Sequence, residues 1–212
     1  MMIDIKEYLL GKSKPNANMI EATNETLFNI VHDEIKWLGA DADLNHIDVS
    51  KVTDMCYSGP NEPERIDGLF TGTGFCGDVS RWDVSNVENM SLVFYECDKF
   101  NGNLGNWDVS KVVYASSMFN GCTEFEGTGL EKWNVANLKD ACGMFLECRN
   151  FNADITKWDT KSLVKCTRMF DTCTSLRRDL SKWNAENVEY YSCMFDNLEY
   201  YYDGKKRPRF KI

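Results

Sequence analysis

Between Phe75 and Phe195 the chain repeats itself five times, and that repetition limits what it can fold into more than any other feature. Its tryptophans, Trp82, Trp107, Trp133, Trp158 and Trp183, are spaced 25, 26, 25 and 25 residues apart. Phe94, Phe119, Phe145, Phe170 and Phe195 keep the same spacing. A unit of this length cannot bury its own apolar face, so a fixed period in this range predicts units stacked into a solenoid with one continuous core.

Each unit has the same parts. An apolar residue (Val79, Leu104, Leu130, Ile155, Leu180) stands three before the tryptophan. A second (Val84, Val109, Val135, with Thr160 and Ala185 as exceptions) stands two after it. This alternation predicts a short strand at the tryptophan. A Ser/Asn turn follows, then Val87, Val112, Leu138, Leu163 or Val188, and the unit closes on Met-Phe-x-x-Cys, which predicts a turn of helix. Strand spacing would set neighbouring units about 4.8 Å apart.

Residues 46–55, HIDVSKVTDM, match WDVSNVENM with the tryptophan replaced, which adds a sixth, degenerate unit. Its Met55 and Phe70 are fifteen residues apart, against four from Met90 to Phe94, so eleven residues are inserted within 56–68. With Pro60 and Pro63, that insertion predicts a bulging loop. Residues 25–38 predict an amphipathic helix with the stripe Leu27, Ile30, Val31, Ile35 and Leu38, N-capped by Asn24 and C-capped by Gly39. A helix there would cover the open end of the stack. The expected organisation is therefore an N-terminal amphipathic segment and linker (1–18), a helical cap (19–45), the repeats (46–198), and a C-terminal cap with a basic tail (199–212).

The pattern FN-x-D-[LI]-S-x-WDVS-x-V-x-x-M-x-x-MF-x-x-C resembles the BspA-like leucine-rich repeat proteins, in the branch of Mycoplasma-type DUF285 repeats. The resemblance implies an α/β solenoid: a leucine-rich-repeat-like stack of about six 25-residue coils, each with one short parallel strand, behind an N-terminal capping helix. Family members include surface adhesins, and similar arrays occur in bacteriophages. The opening residues carry Asp4 and Glu7 within a broken apolar run and do not read as a secretory signal. The expected location is cytoplasmic or in a phage virion. No apolar run is long enough to cross a membrane as a helix.

Chemistry-bearing patterns are sparse. Cys97, Cys122, Cys148 and Cys173 form one column that Leu198 completes, so the position reads as an apolar slot filled by reduced, buried thiols. A line of thiols does not make the tetrahedral set a metal needs. His32 and His46 are the only histidines and no nucleophile–base pair emerges, so the expectation is no enzyme, no metal and no cofactor. A net charge of −9 argues against nucleic acid as a partner.

Two outward columns flank the tryptophans: Arg81, Asn106, Lys132, Lys157, Lys182 and Asp83, Asp108, Asn134, Asp159, Asn184. They either recognise a partner or neutralise one another. The expected function is a non-catalytic protein-interaction module using this face. A virion structural protein docked through its N-terminal segment and a BspA-type adhesin are the alternatives.

Overall fold

The computed structural model describes residues 19–59 and 62–210. The expected helix and linker of residues 1–18 lie outside them. A short strand β1 (Ile20–Glu21) pairs in parallel with β2 (Ile47–Asp48), with helix α1 (Leu27–Leu38) between them. The helix buries Leu27, Val31 and Ile35 as expected, but Leu38 is exposed. Asn24 is not its cap. The Asn24 side chain reaches residues 53 and 54 instead, accepting from the Thr53 N–H at 2.9 Å and donating to Thr53 Oγ1 at 3.0 Å. Gly39 does end the helix, at φ +101°, with its N–H on the Ile35 carbonyl.

The eleven-residue insertion is a hairpin rather than an irregular loop: β3 (Cys56–Gly59) pairs antiparallel with β4 (Glu62–Gly68). Beyond it, parallel bridges step one repeat at a time, from Asp54 to Asn89, Tyr114, Asp140, Lys165 and Tyr190. The expected strand at the tryptophan is absent, because pairing lies elsewhere in the unit. Each tryptophan N–H bonds the apolar residue three before it, as in Trp107 to the Leu104 carbonyl at 3.1 Å and Trp158 to Ile155 at 3.2 Å. The apolar-x-x-Trp spacing is thus a turn spacing. Val87, Val112, Leu138, Leu163 and Val188 each close the next turn in the same way.

The Met-Phe-x-x-Cys stretch is also built of turns and not of helix. Within it alternate N–H groups point at the following repeat: Met90 to Tyr114, Leu92 to Ser116, Phe94 to Met118 and Glu96 to Asn120, all at 2.8–3.0 Å. The same four bonds recur from each full repeat to the next. Two positions per repeat take the left-handed conformation, Leu92, Ser117, Gly143, Arg168, Cys193 and Glu96, Gly121, Glu147, Thr172, Asn197. Only two of these ten are glycines. A left-handed L-residue costs about 1–2 kcal/mol, partly offset by the entropy that glycine loses on folding. Glu147→Gly, at an exposed position with φ +62°, should therefore stabilise the protein by about 0.5–1 kcal/mol in urea unfolding. A loss of stability would show that the turn is not left-handed there.

The core follows from this register. Phe70, Phe94, Phe119, Phe145, Phe170 and Phe195 stack in one column, with centroids 5.1–5.8 Å apart. A second column runs Phe75, Phe100, Phe125, Phe151. The five tryptophans of the repeats line a third side and are buried. Each indole Nε1–H donates to a carbonyl of the preceding repeat, from Trp82 to Leu44 (2.9 Å) through Trp183 to Ile155 (3.0 Å).

At the N-terminal end the Leu69 carbonyl has no preceding repeat to pair with. His32 Nε2 of α1 bonds it at 3.0 Å, in place of the missing amide. Burial pushes the His32 pKa below its ordinary value. The fold favours neutral His32, so its contribution is complete above about pH 6.5 and declines as pH falls below that. His32→Ala should cost about 1–2 kcal/mol at pH 8 and less at pH 5, measured by thermal or urea unfolding. A pH-independent loss would remove His32 from this role.

Candidate functional site

All ten residues of the two outward columns are exposed. Their turn geometry explains why: each tryptophan is buried, and its two sequence neighbours point the other way. The acidic column also has a local role. Asp83, Asp108, Asn134, Asp159 and Asn184 each accept, through Oδ1, the N–H two residues on, at 3.0–3.2 Å. These are Asx turns, which either Asp or Asn can make, so the column shapes the corner after each tryptophan. At Asp108, hydrogen bonds from the Ser110 hydroxyl and N–H hold the carboxyl below its usual range.

The basic column is left largely unneutralised. Arg81 pairs with Asp43 at 3.4 Å. Among the described residues, Lys132, Lys157 and Lys182 make no ion pair within 4.0 Å. Asn106 is the uncharged member. One side of the molecule thus carries ammonium groups at a one-repeat step.

The sequence reading overlooked Tyr114 and Tyr190, which occupy the bridge column and are 50% and 55% exposed. Between them in that column stand Asp140 and Lys165, paired at 3.6 Å. The only sequence signal was an aromatic in a column otherwise polar.

The thiol column is buried as read, and it is more than an apolar slot. Cys122, Cys148 and Cys173 each donate Sγ–H to the phenylalanine carbonyl one repeat back, at 3.0, 2.9 and 2.8 Å. All nine cysteines are free. Burial raises the pKa of Cys97 to about 12 and pushes Cys122, Cys148 and Cys173 well up as well. Among the described residues no group of three or more His, Cys, Asp or Glu could hold a metal ion. A small apolar pocket lined by Val109, Met118, Trp133 and Leu138 holds about 10 Å3. That is about the room of one water and no substrate cleft.

The basic tail is folded onto the last repeat. Tyr201 stacks on Phe195 at 4.5 Å and its hydroxyl donates to the Arg178 carbonyl. Lys206 Nζ donates to the Tyr200 hydroxyl at 2.7 Å, and Arg207 lies over the Phe195 ring. Lys211 lies outside the described residues.

Stacked turn repeats with buried aromatic and thiol columns define a repeat protein whose exposed columns are its distinguishing surface. The chain belongs to the DUF285 family, described as Mycoplasma protein of unknown function, which matches residues 35–128 and 118–206. No curated protein and no solved structure matches it. Among the described residues no helix is long and apolar enough to cross a membrane.

Proposed function

We propose that the chain is a BspA-like leucine-rich-repeat solenoid that acts as a non-catalytic protein-interaction module, binding through the face that carries the basic column. The observation that carries this reading is the set Lys132, Lys157 and Lys182, exposed, regularly spaced and without an ion-pair partner among the described residues. Their neighbours across the tryptophans are the uncharged Asn134 and Asn184, and Asp159, which accepts a turn N–H rather than pairing with Lys157. A partner with acidic side chains at a matching step would gain several pairs from one rigid frame. The net charge of −9 disfavours nucleic acid as that partner. Exposed Tyr114 and Tyr190 add the residue type enriched in protein interfaces. A bacteriophage source is compatible with this reading. The virion alternative depends on residues 1–18, and nothing in the described residues favours it over the module.

The test is saturable binding in host lysate, compared between the native chain and K132E/K157E/K182E. Reversal of three charges at exposed positions should abolish the interaction while leaving unfolding unchanged. Retained binding in the triple variant would remove this face from the function.

A further inference from the structure

In the stretch that closes each repeat, the hydrogen bonds to the neighbouring repeats run one way: N–H groups donate toward the C-terminal end and carbonyls accept from the N-terminal side. Just before that stretch the direction is reversed, as in Val113 to the Glu88 carbonyl. Cys166, Arg168, Phe170 and Thr172 donate to Tyr190, Ser192, Met194 and Asp196. One repeat later, the equivalent donors are Tyr191, Cys193, Phe195 and Asn197, and none has an acceptor among the described residues. The tail does not supply one. Residues 203–207 begin another repeat, with an Asx turn at Asp203 and the Leu180 N–H bonded to the Lys206 carbonyl, but they cover the opposite part of the unit. Phe210 and Tyr201 cover the rings of Tyr191 and Phe195 rather than taking up their amides.

We propose that this C-terminal edge is a docking site for an acidic peptide segment of a partner protein, whose carbonyls accept from Tyr191, Cys193, Phe195 and Asn197. Unpaired edge amides are a ready template for an added chain. Charge narrows the occupant. Lys206, Arg207 and Arg209 lie in the segment packed on this repeat with no ion pair within 4.0 Å among the described residues, Lys205 pairs with Asp203 at 3.6 Å, and Arg207 sits over Phe195 itself.

Polarity argues against a second copy. Along these four amides two C-terminal edges would meet donor to donor, and the N-terminal end is covered by α1, with His32 on the Leu69 carbonyl. Conformation narrows the occupant further. The acceptor stretches within the chain carry a left-handed residue at every fourth position, as at Ser117 and Gly121, so the segment should carry glycine at that step.

The probe is a peptide of about eight residues, glutamates with glycine at every fourth position, added to the full chain and followed by amide hydrogen exchange and fluorescence anisotropy. In the free protein the four edge amides should exchange at least about tenfold faster than those of Cys166, Arg168, Phe170 and Thr172. Saturating peptide should slow those four selectively. K205Q/R209Q, which keeps Arg207, should weaken binding about fivefold. K132E/K157E/K182E should bind the peptide as the native chain does, which separates this edge from the face proposed above. Slow exchange of the four amides in the free protein would overturn the proposal. So would peptide binding without their protection, equal protection by the lysine counterpart, or equal protection by a uridine oligonucleotide.

Discussion

Trp133→Ala should cost about 3–5 kcal/mol, the range for a large aromatic removed from a packed core. Trp133 is 6% exposed, and its ring faces Trp158 at 6.4 Å and Phe119 at 6.3 Å. Its Nε1–H also satisfies the Leu104 carbonyl at 3.0 Å. Truncation therefore opens a cavity and removes a hydrogen bond between two repeats at once. In a stack, stability depends on contacts between neighbours, so a break in the middle is felt by both halves. Trp133→Phe keeps most of the ring and loses the N–H, for a smaller cost of about 1–2 kcal/mol. The check is urea unfolding with an unchanged slope. A loss below about 1 kcal/mol for the alanine variant would mean that the indole does not bridge the repeats.

The thiols give the second large effect. Cys97, Cys122, Cys148 and Cys173 are fully buried, and burial disfavours their thiolates. The thiolate is the reactive form, so alkylation of the native protein should be slower than in urea by at least about a hundredfold at these four sites. Exposed Cys76 and Cys193 should label first. Mass spectrometry of timed iodoacetamide labelling reads this site by site. Fast native labelling of the four, or a disulfide between any two, would contradict the packing.

The same burial gives stability a pH dependence. The folded-state pKa values lie above the unfolded value, so the neutral thiols favour the fold fully below about pH 8.5. That contribution is lost as pH rises toward about 12, the value to which Cys97 and Cys166 are raised. Unfolding midpoints should fall above pH 9, and less so in a Cys97→Ala variant. Identical pH profiles for the two would take Cys97 out of the effect.

The buried columns were legible in the sequence because the same residue types recur at a fixed step, and only an inward position imposes that on Trp, Phe and Cys. The local backbone was less legible. Alternation around tryptophan suggested a strand, whereas the three-residue spacing from Leu104 to Trp107 records an i to i+3 turn. Both spacings put apolar residues inward, so periodicity alone did not separate them.

The left-handed positions were hidden because side chains as unlike as Leu92, Arg168 and Cys193 occupy one of them. Asp83 and Asp108 looked like half of a charge ladder. Their exchange with Asn134 and Asn184 was the available sign that a side-chain oxygen, and not a charge, is what the corner requires. At the insertion, Pro60 and Pro63 spoke for a loop, and the paired hairpin was not visible without its partner strand in view. The unpaired amides at the C-terminal edge follow only from the register, which no single residue reports.

The repeat-to-repeat register is most directly measured by scalar coupling across hydrogen bonds in a deuterated, isotope-labelled sample. Cross-peaks are expected from the Phe94, Phe119, Phe145 and Phe170 amides to the carbonyls of Met118, Met144, Met169 and Met194, each one repeat ahead. Couplings confined within single repeats, or displaced from those methionines, would contradict the stacked-turn structure and every column derived from it.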